Sequence, residues 1–410
     1  MTRHRFAPPA LLRASTLAAP LALAAIAPRC SPAASTTPRE PVRSVAAPGL
    51  LAGSTSALPL ATPPASSSLA PLPASHSPPP PPPAPVPPPR LARGTATAAD
   101  KALGTGDDAL DAGDLEAAHR AYQQAARLAP RDPAPLVGLA RVDIARSNAP
   151  LQYASSPSNP ALTRAWRNLQ KALGLDPSFP PANLEAGRVQ LMLGHADPAI
   201  QALRKAVTLM PHDPEAHSAL GIACIALGRG EEGLQSLTRA AELDPSSAAR
   251  QRNLGTALLL RHRLHDAVQA FERARELAPE DPSTLNNLGT ALATMHDNTR
   301  ALPYLQQAVQ LAPSQPSYRS NLGYCLQQLG QVDQAIAEYR KAIELDPKLA
   351  DAWLNLATAL AQRGNVADAR KAVAKAIEID ADDPRARDIL GELDALEKPD
   401  AGAPAPGSSR

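Results

Sequence analysis

The chain has 410 residues, and its 41 basic and 39 acidic side chains leave a formal charge of only +2, with aromatics at 3%. No basic block stands out and few rings are available for stacking, which argues against a nucleic-acid surface. Length alone would allow two or three domains, but the composition changes sharply at about residue 99.

Residues 1–30 read as a targeting segment. Arg3 and Arg5 give a positive start, and Ala14–Ala27 is an uncharged, mostly apolar run broken by Pro20. That run is too short to span a bilayer as a stable helix and fits a signal-peptide core. Cys30 follows, with Ser31 and Pro32 after it. The layout resembles a bacterial lipoprotein signal, which implies lipidation at Cys30, although Pro28 and Arg29 stand where that family has small residues. Two alternatives stay open: cleavage after Ala27, which Pro28 would hinder, and a cytoplasmic chain with an Ala-rich end. The expected location is the cell envelope, periplasmic or as an outer-membrane lipoprotein. Membrane contact would be through the N-terminal anchor alone.

Residues 31–98 are dominated by Pro, Ala and Ser, with Pro78–Pro83 unbroken and charge only at Arg39, Glu40, Arg43, Arg90 and Arg93. Such a segment cannot bury a core. The composition predicts a disordered linker, partly polyproline II. Its Pro-rich core would span about 40 Å at ~3.1 Å per residue. It serves as a tether or as a plain spacer.

From residue 99 the chain repeats. Residues 316–349 form a 34-residue unit with two amphipathic halves, apolar at i, i+3, i+4 and i+7, joined at Gly330-Gln331. A shift of 34 residues brings Leu288-Gly289 onto Leu322-Gly323, and Ala301, Ala308 and Pro313 onto Ala335, Ala342 and Pro347. Such a helix pair cannot bury its apolar face without copies of itself. The recurrence of small residues and proline together resembles the tetratricopeptide repeat (TPR) family. The resemblance implies an all-α, right-handed superhelical solenoid of eight helix-turn-helix repeats: 99–132, 133–179, 180–213, 214–247, 248–281, 282–315, 316–349 and 350–383. Repeat two carries 13 extra residues near Ser147–Asn159, expected to project as a loop from one edge. Residues 384–398 read as a capping helix with Ile389, Leu390, Leu393 and Leu396, and the tail 399–410 as disordered.

Most catalytic patterns are missing: there is no P-loop, HExxH or GxSxG. Gly228–Gly233 matches GxGxxG but joins two repeat helices instead of a strand and a helix, so it is not a dinucleotide site. His262 and His265 lack a third metal ligand and read as solvated turn residues. Cys224 and Cys325 sit at inward positions three repeats apart, so they read as small core residues too distant to bond. The expectation is a non-enzyme with no cofactor, no metal and no small-molecule substrate.

One constellation remains. Asn253, Asn287, Asn321 and Asn355 hold the sixth position of repeats five to eight, which puts four amides on one line. An amide carries a donor and an acceptor and can pair with any peptide group. The row resembles the asparagine ladder in the TPR part of O-linked N-acetylglucosamine transferases. That resemblance implies an extended peptide bound in the concave groove; the catalytic region of those enzymes is not present. Further inner-face candidates are Thr256, Thr290, Tyr324 and Thr358 at position nine and Arg252, Asn286 and Ser320 at position five. Asn within the array could also bond only to its neighbours. The expected function is a scaffold binding a protein or peptide partner. The alternatives are a substrate-recruiting subunit for a transferase on a separate chain and a self-associating envelope scaffold.

Overall fold

The computed structural model describes residues 90–149, 151 and 154–397. Cys30, the 1–30 signal, most of the 31–98 linker and the tail 399–410 lie outside the described residues. Among the described residues all regular structure is α-helical: eight helix pairs and one further helix. The pairs are α1 (Ala98–Asp111) with α2 (Leu115–Leu128), α3 (Ala134–Ser147) with α4 (Pro160–Leu175), α5 (Pro180–Met192) with α6 (Ala196–Leu209), and α7 (Pro214–Ala226) with α8 (Gly230–Leu243). There follow α9 (Ala248–Leu260) with α10 (Leu264–Leu277), α11 (Pro282–Thr294) with α12 (Asn298–Leu311), α13 (Pro316–Gln328) with α14 (Val332–Leu345), and α15 (Ala350–Gln362) with α16 (Val366–Ile379). α17 (Pro384–Glu397) closes the array, burying Ala386, Ile389 and Leu393 while Leu396 stays exposed. Among the described residues no helix is long and apolar enough to cross a membrane.

The packing follows from the small residues. A Cβ added at Gly255 would stand 2.6 Å from the Phe271 ring, and one at Gly323 would stand 2.7 Å from Tyr339. Only hydrogen fits there, so in these pairs the first helix lies directly on the large side chain of the second. Phe271, Tyr339 and Tyr122 are fully buried in consequence. Prolines open α5, α7, α11 and α13 at their first turns, where a missing N–H costs nothing. The turn inside most pairs passes through a left-handed residue, which Gly113, Gly194, Gly228, Gly330 and Gly364 supply. His262 and His296 take the same place in repeats five and six with φ of 56° and 62°. A side chain there is strained, because Cβ crowds the backbone. His262 is exposed in that turn and His265 is exposed in the first turn of α10, as solvated residues should be.

Two expectations need correction. The linker does not extend to residue 98: its last residues lie on α1. Leu91 is buried, its N–H and that of Ala92 donate to Asp107 Oδ2 at 2.8 and 2.9 Å, and Arg93 N–H donates to Asp100 Oδ1 at 2.7 Å. Among the described residues no repeat precedes α1, and these carboxylates take up the passing strand. The insertion in repeat two also does not project freely. Ala154 N–H donates to Leu191 O at 2.9 Å and Ser156 N–H to Met192 O at 3.1 Å. Carbonyls at a helix C-terminus lack partners within the helix, and the insertion caps those of α5.

Candidate functional site

First helices stack side by side through the array, so equivalent positions on successive repeats become neighbours. The sixth residue of one repeat meets the ninth of the repeat before it. In the C-terminal half this pair is an amide on a hydroxyl. Asn287 Nδ2 donates to Thr256 Oγ1 at 3.3 Å, and Asn321 Nδ2 donates to Thr290 Oγ1 at 3.2 Å. Asn321 also donates to Asn286 Oδ1 at 3.0 Å, and Asn355 donates to Ser320 Oγ at 3.3 Å. Thr358 donates to the Asn355 carbonyl at 2.9 Å and accepts from Gln327 at 3.4 Å. Arg252 reaches Asp281 at 2.6 Å.

The predicted residues therefore do come together along one face, but not as a uniform row of free amides. Asn286, Ser320 and Asn321 are 1% exposed, Thr290 is 2% and Thr256 is 6%. These five are structural groups inside the array. Asn253, Asn287, Asn355, Arg252, Tyr324 and Thr358 remain partly exposed. Among them Asn253 differs, since its neighbour at position nine of repeat four is Ile222, which offers no hydrogen bond. Among the described residues the Asn253 amide consequently has no hydrogen-bond partner.

The N-terminal half uses the same two positions for charge. Arg141, ninth in repeat two, donates through Nε to Glu185, sixth in repeat three, at 2.9 Å; Glu185 is buried and Arg141 partly so. Arg188 lies 3.7 Å from Glu185 and 3.4 Å from Glu215. Arg250 continues the chain of pairs at 3.4 Å from Glu215 and 3.0 Å from Asp244. Burial would raise the Glu185 carboxyl, but Arg188 and Arg141 outweigh it and hold that carboxyl below its ordinary range. Arg188 Nε is buried with no hydrogen-bond partner. This guanidinium borders a cavity of about 310 Å³ whose wall also includes Leu110, Asp111, Arg141, Ile144 and Ala145.

The sequence reading missed this charged ladder, although the signal was present. Arg141, Arg188 and Glu185 occupy the positions it singled out further along the chain. It also missed Gln327, which joins Tyr339 to Thr358 and Gln362.

Cys224 and Cys325 are free and fully buried, and burial pushes their thiols up to about 12 and about 11. They are inert core residues. Gly228 is a left-handed turn residue between α7 and α8, in keeping with the rejection of a dinucleotide loop. Among the described residues no group of three or more His, Cys, Asp or Glu side chains is placed to hold a metal ion.

An array of paired helices in which close-packed small residues set the spacing and first helices line one face defines a helical-repeat solenoid. Tetratricopeptide repeat profiles match it, one at residues 161–220, 196–258 and 329–393 and another at 103–148 and 286–350. Together these take in more than half of the chain, and it belongs to the tetratricopeptide repeat family. Among curated proteins none matches the sequence. Among solved structures, the chain is similar to YrrB, a TPR protein with an unusual peptide-binding site, at 28% identity over 47% of this chain and 100% of that one, with a TM-score of 0.37. It is similar to the APC/C hetero-tetramer Cut9-Hcn1 at 17% identity over 73% of this chain and 57% of that one, with a TM-score of 0.55. It is also similar to pilF of Pseudomonas aeruginosa at 21% identity over 53% of this chain and 99% of that one, with a TM-score of 0.45.

Proposed function

We propose that the protein is a non-catalytic scaffold that holds a protein or peptide segment against the face formed by its first helices. One observation carries this reading: polar capacity on that face is left unspent in its middle. The partly exposed Asn253 amide on α9 has no hydrogen-bond partner among the described residues, and α7 before it presents Ile222. An extended peptide supplies what this amide lacks, both a carbonyl and an N–H. Asn287 and Asn355 extend the contact toward the C-terminus. This keeps the part of the asparagine ladder read from the sequence that stays partly exposed, Asn253, Asn287 and Asn355.

The test compares partner capture from the source cell by the wild-type chain, by Asn253→Ala with Asn287→Ala, and by Asn321→Ala. Loss of a captured protein in the double variant, with helicity unchanged, supports the site. Equal capture by all three sinks it.

We propose further that the scaffold works in the cell envelope, exported by residues 1–30 and anchored at Cys30, on the strength of the Arg3/Arg5 start and the apolar run before that cysteine. Labelled palmitate should enter the wild-type chain and not Cys30→Ser. An unlabelled wild-type chain in the soluble fraction would overturn the anchor.

A further inference from the structure

The cavity of about 310 Å³ at the N-terminal end of the first-helix face has a wall that is charged and almost fully paired. Arg90 is engaged by Asp108, Arg141 by Glu185, and Arg188 by Glu185 and Glu215. Asp107 accepts from the Leu91 and Ala92 N–H groups and from the Tyr122 hydroxyl. Asp111 is the exception. It is exposed, and among the described residues it has no hydrogen bond and no ion pair. It is also the last residue of α1, whose final turn carries no basic side chain. The C-terminal end of a helix holds partial negative charge, so α1 adds to the charge of this carboxylate. Beside it the cavity is lined by Leu110, Ile144 and Ala145, all at least partly exposed.

We propose that this cavity takes a lysine or arginine side chain of the partner segment. The aliphatic stem lies along Leu110, Ile144 and Ala145, and the cationic head meets Asp111 at the mouth. Long basic side chains divide in this way, with methylenes on apolar surface and the charge toward water. An acidic side chain would meet Asp111 and the negative end of α1, while each guanidinium on the wall already faces a carboxylate. An uncharged apolar side chain gains the stem contacts alone. The cavity lies on the same face as Asn253. From α3 to α9 there are three steps between neighbouring first helices, roughly 24–30 Å at ~8–10 Å per step. An extended chain covers that in about seven to nine residues, which sets the spacing between the basic residue and the peptide group held at Asn253. That a segment arrives at all rests on the scaffold reading above; the preference of the cavity does not.

Methyl NMR on the full-length chain tests the cavity by itself, with the Ile144 δ1 methyl as reporter. Two probes are titrated, Nα-acetyl-lysine amide and Nα-acetyl-norleucine amide, which share the stem and differ in the ammonium. The chains compared are wild type, Asp111→Asn and Asp333→Asn. Asp333 is an exposed acid on α14, so its variant removes the same charge away from the cavity. The expected result in wild type and in Asp333→Asn is a shift of the Ile144 methyl at about fivefold lower concentration of the lysine probe than of the norleucine probe. In Asp111→Asn the two probes should act at equal concentrations. An Ile144 methyl that ignores both probes or answers them equally in wild type would overturn the proposal. So would a lysine preference that survives Asp111→Asn or disappears in Asp333→Asn. None of these readings uses a partner protein, so the scaffold function, tested by capture, stands or falls separately.

Discussion

Between repeats two and three, the sixth and ninth positions hold Arg141 on Glu185. Between repeats five and six, and again between six and seven, they hold an asparagine amide on a threonine hydroxyl. The geometry is one and the chemistry differs. A buried ion pair is demanding: each charge gives up water, and the pair holds only while both partners are present. A neutral amide–hydroxyl bond asks for less desolvation and returns about 1 kcal/mol net. The charged rungs should therefore be sensitive to pH and to loss of a single partner, and the amide–hydroxyl rungs indifferent to pH. The charged pairs run as far as Arg250 on α9, the amide–hydroxyl bonds begin between α9 and α11, and the Asn253 amide on α9 falls between the two sets.

The strongest way to break this contrast is Arg141→Ala. It strands the buried Glu185 carboxylate with Arg188 at 3.7 Å as its remaining partner, and should cost about 3 kcal/mol. In a repeat array the loss is local. Hydrogen exchange should show it in α3 to α5 and leave α13 to α15 unchanged. Uniform loss of protection would refute the idea of independent regimes.

Asn321→Ala is next, at about 2 kcal/mol, since the buried Asn286 oxygen and Thr290 hydroxyl lose their shared donor. Asn253→Ala, at the same position in a different repeat, should stay within about 0.5 kcal/mol of wild type, because its amide bonds to nothing among the described residues. Urea titrations of the two variants decide this. Equal destabilisation would mean that the ladder is continuous after all.

Acid sharpens the comparison. The Glu185 carboxyl is held below its ordinary range in the folded chain, so it binds fewer protons folded than unfolded just below pH ~4.3. Its contribution is present above the unfolded pKa and is lost as pH falls through the depressed folded value. Exchange protection in α3 to α5 should fall in that window before protection in α13 to α15. Glu185→Gln should remove that difference in pH response.

The smallest effect expected is a gain. His262→Gly and His296→Gly relieve a left-handed backbone without touching either ladder, and each should add about 0.5–1 kcal/mol. Thermal unfolding that moves downward would show that these turns are held by contacts of the imidazoles.

The repeat architecture was readable before any coordinates. Gly255 with Phe271 and Gly323 with Tyr339 recur at fixed spacing, because a helix pair sixteen residues apart in the chain can approach only where one side lacks a Cβ. That constraint acts within a repeat, so a single repeat displays it, and the period then fixes the rest. Which polar residues are spent was decided between repeats. Asn287 and Thr256 are 31 residues apart, and Arg141 and Glu185 are 44 apart, the difference being the 13-residue insertion. A strict 34-residue register therefore hides the charged rung. The insertion and residues 90–97 were misjudged for a related reason: both are polar or proline-rich by composition, and both are ordered by groups of a neighbouring helix, the last carbonyls of α5 for the insertion and the Asp100 and Asp107 carboxylates of α1 for residues 91–95. Composition and periodicity determined that the chain is a TPR solenoid with one continuous first-helix face. Only the stacking of each repeat on the next decided which side chains on that face are locked inside it and which are left to meet a partner, because a hydrogen bond across repeats depends on both residues of the pair.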